Sequence, residues 1–362
     1  MKKILLISLI TSSVFSQTSN IFEPIDLFDL EYVSNTEISP SGDKVLYQRN
    51  YNDIMTDQSF SNIWLINYDG TNNRPITTGN YKDNSPKWSN QGDKFIFQSN
   101  RDSKSQIFLF DLKNNSIQKL TNFQYSIQSI KWSPDDNYIL FSSFIDSKRK
   151  SLIKMPEKPK GAKWNDPPVE ISDLNYRYDS SGYRKPGEVQ FFTIPVSGGT
   201  PRQISNIKPE KRAGQAEWLG NDKIIFSANL NDDSDYNTNN SEIYILSLES
   251  GKHEALTSRN GPDSSPKVSN DNSMIAYLGY DDEYLGYQQN SIYVMKPDGS
   301  SKFKIQLNLD RNISNIYWSA DDKRIYFQFD DKGITKIGST TLEGKFQTEV
   351  DQVRNHCGYF PL

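Results

Sequence analysis

Residues that could do covalent chemistry are few in this chain. Two histidines, His253 and His356, stand about 100 residues apart, poor material for a Ser-His-Asp relay or a histidine zinc site, and both are expected to be solvated loop residues. No Gly-x-Ser-x-Gly occurs in the 362 residues. Without that strained strand-to-helix elbow no serine is set beside backbone N–H donors as a nucleophile. Cys357 is the only cysteine, so no internal disulfide can form. The sequence therefore assigns no catalytic residue, no metal ligand and no cofactor.

Binding chemistry has better candidates. Asn231, Asp233, Asp235, Asn237, Asn239 and Glu242 follow the oxygen-ligand spacing of a calcium loop. The position that needs glycine for the sharp turn is Tyr236, however, so a solvated Asn/Asp loop with no tight calcium site is expected. Asp281, Asp282 and Glu283 form a second acidic run. Together the two loops could attract the amino terminus of a peptide by Coulomb attraction, or simply make a solvated face. Arg177 lies between Tyr176 and Tyr178, with Tyr183 close behind. Its planar fork suits a carboxylate or a peptide carbonyl; stacked on its tyrosines it would instead fasten the segment down. The candidate substrate contacts are thus Tyr176, Arg177, Tyr178, Tyr183, Asp281 and Asp282.

The elements that must carry these residues announce themselves by repetition. An apolar or aromatic residue, a serine, a polar turn and an alternating strand recur at Ser39, Ser89, Ser133, Ser269 and Ser319, with Leu219 in the serine's place once. The steps between these positions are 50, 44, 86, 50 and 50 residues. Each copy is followed by a second pair of apolar runs joined by dipeptides such as Asp69-Gly70 or Asp298-Gly299, which supply the positive φ of hairpin turns. Four short antiparallel strands every 40 to 50 residues mark an all-β fold, a β-propeller of four-stranded blades, with six blades countable and a seventh missing or incomplete. The 86-residue step is one blade carrying an insert over about 146–187, which must run on the surface or across the propeller mouth. With 35% hydrophobic, 12% aromatic and 24% charged residues and a net charge of −4, the chain suits a packed core and offers no electrostatic case for nucleic acid.

At the amino end, Lys2 and Lys3, an apolar run from Ile4 to Phe15 and the small Ser16 have the layout of a secretory leader cleaved near Gln17. The run is too short to span a bilayer. The organisation expected is a leader over 1–16, a propeller over 17–350 and an irregular tail over 351–362. The compartment is periplasmic or secreted, with no membrane attachment after cleavage.

Several segments carry a family resemblance. They are Tyr176-Arg177-Tyr178-Asp179 with Gly182-Tyr183, Phe226-Ser227-Ala228-Asn229 leading to Ser241-Glu242-Ile243-Tyr244, and Arg259-Asn260-Gly261-Pro262-Asp263. To these are added Tyr277-Leu278-Gly279-Tyr280-Asp281-Asp282 with Leu285-Gly286-Tyr287-Gln288, and Ile325-Tyr326-Phe327-Gln328-Phe329-Asp330-Asp331-Lys332-Gly333. Over roughly 22–345 the chain resembles the N-terminal propeller of the prolyl oligopeptidase family of serine peptidases, in its acylaminoacyl-peptidase and dipeptidyl-peptidase branch. The resemblance implies a seven-bladed propeller that caps a hydrolase domain and admits short or unstructured peptides. The six countable blades and the missing elbow depart from that pattern, and the chain reads as a fragment of such a protein. Its partners would be peptides or the missing hydrolase domain. The alternative is a self-contained propeller, similar to the periplasmic TolB proteins, that binds a protein partner.

Overall fold

The computed structural model describes residues 22–147, 156–166, 168–171, 173–179, 182–208 and 213–353. The leader over 1–16, His356, Cys357 and most of the tail lie outside the described residues.

Six four-stranded antiparallel sheets form the blades of a propeller. The first blade is β1 (Glu31–Ile38), β2 (Lys44–Asp53), β3 (Gln58–Asn67) and β4 (Arg74–Pro75). The second is β5 (Asn84–Trp88), β6 (Lys94–Asp102), β7 (Lys104–Asp111) and β8 (Ser116–Lys119). The third begins with β9 (Ile127–Trp132) and β10 (Tyr138–Asp146). It then carries a small hairpin, β11 (Arg177–Tyr178) and β12 (Gly182–Tyr183), before closing with β13 (Gly187–Pro195) and β14 (Arg202–Gln203). The fourth is β15 (Ala213–Leu219), β16 (Lys223–Ala228), β17 (Glu242–Ser247) and β18 (His253–Ala255). The fifth is β19 (Asp263–Val268), β20 (Ile275–Gly279), β21 (Ser291–Met295) and β22 (Phe303–Lys304). The sixth is β23 (Ile313–Trp318), β24 (Ile325–Asp331), β25 (Ile334–Thr340) and β26 (Phe346–Val350). Each blade is built from consecutive sequence, and the insert leaves the third between its second and third strands, where the 86-residue step requires it.

The recurring serine has a definite task. In five blades it closes the turn between the first two strands. Ser133 N–H donates to Tyr138 O at 2.8 Å while its Oγ accepts from Tyr138 N–H at 2.9 Å. Ser39, Ser89, Ser269 and Ser319 bracket their turns in the same way. A hydroxyl, buried at Ser39, Ser89, Ser133 and Ser269 and half-buried at Ser319, satisfies these backbone groups.

Neighbouring blades share apolar clusters. Leu46, Ile63 and Phe95 join the first to the second, and Ile96, Phe141 and Phe192 the second to the third. Phe191, Trp218 and Phe226 join the third to the fourth. Ile225, Ile275 and Tyr277 continue to the fifth, and Leu278, Ile316 and Phe327 to the sixth. Among the described residues no further cluster joins the sixth blade to the first, and Tyr32, Val33 and Ile38 on β1 are exposed.

Indole donors reinforce these seams. Trp88 Nε1 donates to Glu37 O at 3.1 Å, Trp132 Nε1 to Lys87 O at 2.9 Å and Trp318 Nε1 to Lys267 O at 3.0 Å. The equivalent Trp218 Nε1, at the seam beside the insert, is buried without an acceptor among the described residues. His253 is not a loop residue as expected. It sits on β18 with its ring edge-on to Tyr244, centroids 5.8 Å apart.

Candidate functional site

The innermost strands β1, β5, β9, β15, β19 and β23 line a central channel. A β-bulge interrupts their pairing just before each turn, between Ser34 and Glu37, Asn84 and Lys87, Ser264 and Lys267, and Ser314 and Tyr317. The bulges place Asn35, Ser85, Ser265 and Asn315 at positive φ, 48° to 52°, an uncommon conformation for residues other than glycine. In the fourth blade Gly214 lies at the corresponding bulge, and a Cβ there would meet Ser227 Oγ at 2.8 Å. The bulges re-aim the strand. Two residues before each turn serine, or before Leu219, one side chain of every blade reaches the channel: Glu37, Lys87, Lys131, Glu217, Lys267 and Tyr317.

These six residues form a girdle of charge. Lys87 pairs with Glu37, and Glu217 takes both Lys131 and Lys267, the latter at 2.8 Å. The Lys267 ammonium also lies 5.1 Å from the centre of the Tyr317 ring, within cation–π range. Burial alone would raise the Glu217 carboxyl, but the two lysines overcome it and hold it at about 2. Burial and the like charges of Lys131 and Lys267 pull the Lys87 ammonium down to about 8. Burial also lowers Lys131, whereas Glu217 outweighs burial at Lys267 and raises it. Glu37, Lys87, Glu217, Lys267 and Tyr317 of the girdle line a cavity of about 570 Å³, together with Asn35, Gln215, Ser227, Ser265 and Asn315 among others. The whole lining is polar or charged except at a few positions.

The loops joining second to third strands, and the insert, all leave from the other end of the channel. There the structure gathers the residues expected from the sequence, in two groups. The insert hairpin stacks Tyr176 on Tyr183, ring centroids 6.3 Å apart. The arginine that fastens it is Arg184, which donates from Nη1 to Asn175 O at 2.8 Å and lies 5.8 Å from the Tyr178 ring centre. Arg177 is exposed. Asn175 Nδ2 reaches Asp235 O at 3.4 Å, which ties the hairpin to the fourth-blade loop.

The second group is the acidic run. Asp282 accepts from Tyr284 N–H at 2.8 Å, Asn239 Nδ2 at 3.0 Å and Gln288 Nε2 at 3.1 Å. These bonds hold its carboxyl below the usual range, and its charge is spent on joining the fourth- and fifth-blade loops. Asp281 stays exposed, 3.6 Å from Arg259 Nε. The fourth-blade loop thus bridges hairpin and acidic run.

Glu242 takes no part in the Asn231–Asn239 loop. It is buried in the blade, accepting from Thr257 Oγ1, so the calcium-like spacing is not a ligand set. Among the described residues no group of three His, Cys, Asp or Glu side chains is placed to hold a metal ion. Sequence reasoning also passed over Tyr236, Tyr284 and Tyr287, strongly exposed on the same end. They belong to the collar of tyrosines that the hairpin begins. The girdle was missed as well, though its signal was present at a fixed offset from the blade serine.

A blade-wise ring of bulged inner strands around a polar channel, with elaborated loops on one end, defines a six-bladed β-propeller, and solved structures bear this out for the fold. The acylaminoacyl peptidase of Pyrococcus horikoshii is similar with a TM-score of 0.66 at 19% identity, over 89% of this chain and 46% of that one. The propeller domain of the trilobed protease from Pyrococcus furiosus, described as having an open velcro topology, is similar with a TM-score of 0.58 at 17% identity, over 88% of this chain and 85% of that one. In sequence, the chain is 25% identical over 352 residues to dipeptidyl-peptidase 5 of Porphyromonas gingivalis, covering 92% of this chain and 50% of that protein. The chain thus spans about half the length of the curated relative it matches, and its fold matches the propeller part of such peptidases. No family model matches. No helix among the described residues is long and apolar enough to cross a membrane.

Proposed function

We propose that this chain is the non-catalytic propeller portion of an exported peptidase of acylaminoacyl- or dipeptidyl-peptidase type, gating the access of peptides to a hydrolase domain. The observation that carries the reading is the similarity of nearly the whole chain to half of a dipeptidyl-peptidase. The polar channel supports it: a cavity of about 570 Å³ is far too small for a folded domain, so selection by size needs no catalytic group in the propeller. In this reading the loop end is where peptides first touch the propeller. Tyr176, Tyr178 and Tyr183 offer ring faces, Arg177 a fork for carbonyl or carboxylate oxygens, and Asp281 a charge for a free amino terminus. Asp282 serves by holding the loops. The protein acts in the periplasm or outside the cell, with peptides and the hydrolase domain as partners.

Reading the DNA 3′ of the coding region tests this proposal. A hydrolase-type frame bearing Gly-x-Ser-x-Gly within a few dozen bases is the expected result. A neighbourhood without one overturns the peptidase role and favours a self-contained propeller that binds a protein.

A further inference from the structure

Taken in blade order, the girdle reads Glu37, Lys87, Lys131, Glu217, Lys267, Tyr317: minus, plus, plus, minus, plus and a neutral ring. Wherever opposite charges are neighbours they form an ion pair. Only one pair of neighbours carries like charge. Lys87 of the second blade and Lys131 of the third stand side by side, each held by a carboxylate on its far side and with none between them. Three ammonium groups against two carboxylates leave one positive charge uncompensated in a partly dehydrated channel, where charges interact more strongly than in water.

We propose that the girdle is a carboxylate-binding site, in which an anionic carboxyl group bridges Lys87 and Lys131 and completes the alternation of charge around the channel. The lowered Lys87 ammonium agrees with a slot that lacks its anion. The cavity that Lys87 lines is also lined by Asn35, Gln215, Ser265 and Asn315, whose amide and hydroxyl groups can hydrogen-bond the chain behind the carboxyl. The carboxylate comes from a peptide terminus or from a small free acid. The peptide source rests on the proposed peptidase role, whereas the site itself does not. Net positive charge at the girdle and exposed Asp281 at the loop end would orient a peptide with its carboxyl toward the girdle.

Titration calorimetry on the full chain at pH 7, with N-acetyl-triglycine, its C-terminal amide and sodium acetate as probes, tests the proposal. The acid peptide is expected to bind at least tenfold more tightly than the amide. Lys131→Gln should weaken it at least tenfold, Lys87→Arg should retain it, and Lys113→Gln on the outer surface should change nothing. Acetate matching the peptide assigns the site to small acids, and peptide binding far above acetate assigns it to peptide termini; either supports the carboxylate. Affinity should fall above about pH 8 as Lys87 loses its proton, the facing groups Glu37, Lys131, Glu217, Lys267 and Tyr317 all being included in that balance. On the unmodified protein, acid peptide should also protect Lys87 from an amine-acylating reagent, a readout independent of how the variants fold. Equal binding of acid and amide, binding of Lys131→Gln within twofold of the parent, or no protection overturns the proposal. Because these probes need no hydrolase domain, a negative result here leaves the gene-neighbourhood test of the peptidase role standing, and the reverse holds too.

Discussion

The two ends of the propeller are built by opposite rules. At the turn end the same device recurs. Asn90 N–H and Nδ2 both donate to Asp136 Oδ1 at 2.8 Å across the second and third blades. Asn270 repeats it on Asp322 across the fifth and sixth, at 2.9 and 2.7 Å. At the loop end no two blades agree: a tyrosine hairpin, an Asn/Asp loop and an acidic loop follow one another. Repetition at one end marks what the fold needs, and variation at the other marks surface free to be used for recognition.

The largest contrast is expected between two aromatic residues. Phe141, fully buried at the seam of the second and third blades, should cost about 3–5 kcal/mol as Phe141→Ala. Tyr183→Ala on the hairpin should stay within about 0.5 kcal/mol. Urea unfolding measures both, and equal losses would erase the distinction between scaffold and loop end.

Next is a departure within the scaffold. Gln106 and Gln190 clamp a backbone N–H and a carbonyl 17 residues on, at Phe123 and Ile207. In the fourth blade the same place holds Glu242, whose carboxyl burial pushes up to about 7. Its folded pKa lies above the ordinary 4.5, so its contribution to stability is full below pH 4.5 and is lost as pH rises through 7. Glu242→Gln should remove that loss. It should be more stable than the parent by on the order of 3 kcal/mol above pH 7 and nearly equal to it at pH 4.5. Melting curves across this window check the sign, and a variant weakened at pH 8 would refute the carboxamide analogy.

A smaller effect separates Asp322→Ala at the turn end, expected to cost about 2 kcal/mol of global stability, from Asp282→Ala. The latter should loosen only the fourth- and fifth-blade loops, visible as faster amide exchange there with an unchanged unfolding midpoint. Smallest is the indole pair. Trp132→Phe should cost about 1 kcal/mol more than Trp218→Phe, since only the first loses a hydrogen bond.

How much of this was legible follows from what each residue is for. The blade serines could be read because one backbone geometry, repeated, demands one hydroxyl at one place, and the insert because it broke the step. Tyr176, Tyr183 and Asp281 could be placed on one end from blade order alone. The role split between Arg177 and Arg184 could not, since it depends on which guanidinium the hairpin turns inward. The girdle stayed hidden for a different reason. Glu, Lys and Tyr share no residue type, so their fixed offset from the blade serine gains meaning only once the bulge is known to turn these side chains to the channel.

The channel as the path of a peptide is the central claim, and photo-crosslinking tests it most directly. A short unstructured peptide carrying a benzoylphenylalanine at its middle is irradiated with the full chain, and the adducts are mapped by mass spectrometry. Adducts are expected on channel residues such as Gln215, Ser265 and Asn315 and on the collar residues Tyr178 and Tyr183. Adducts confined to the outer strands β4, β8, β14, β18, β22 and β26 would contradict it.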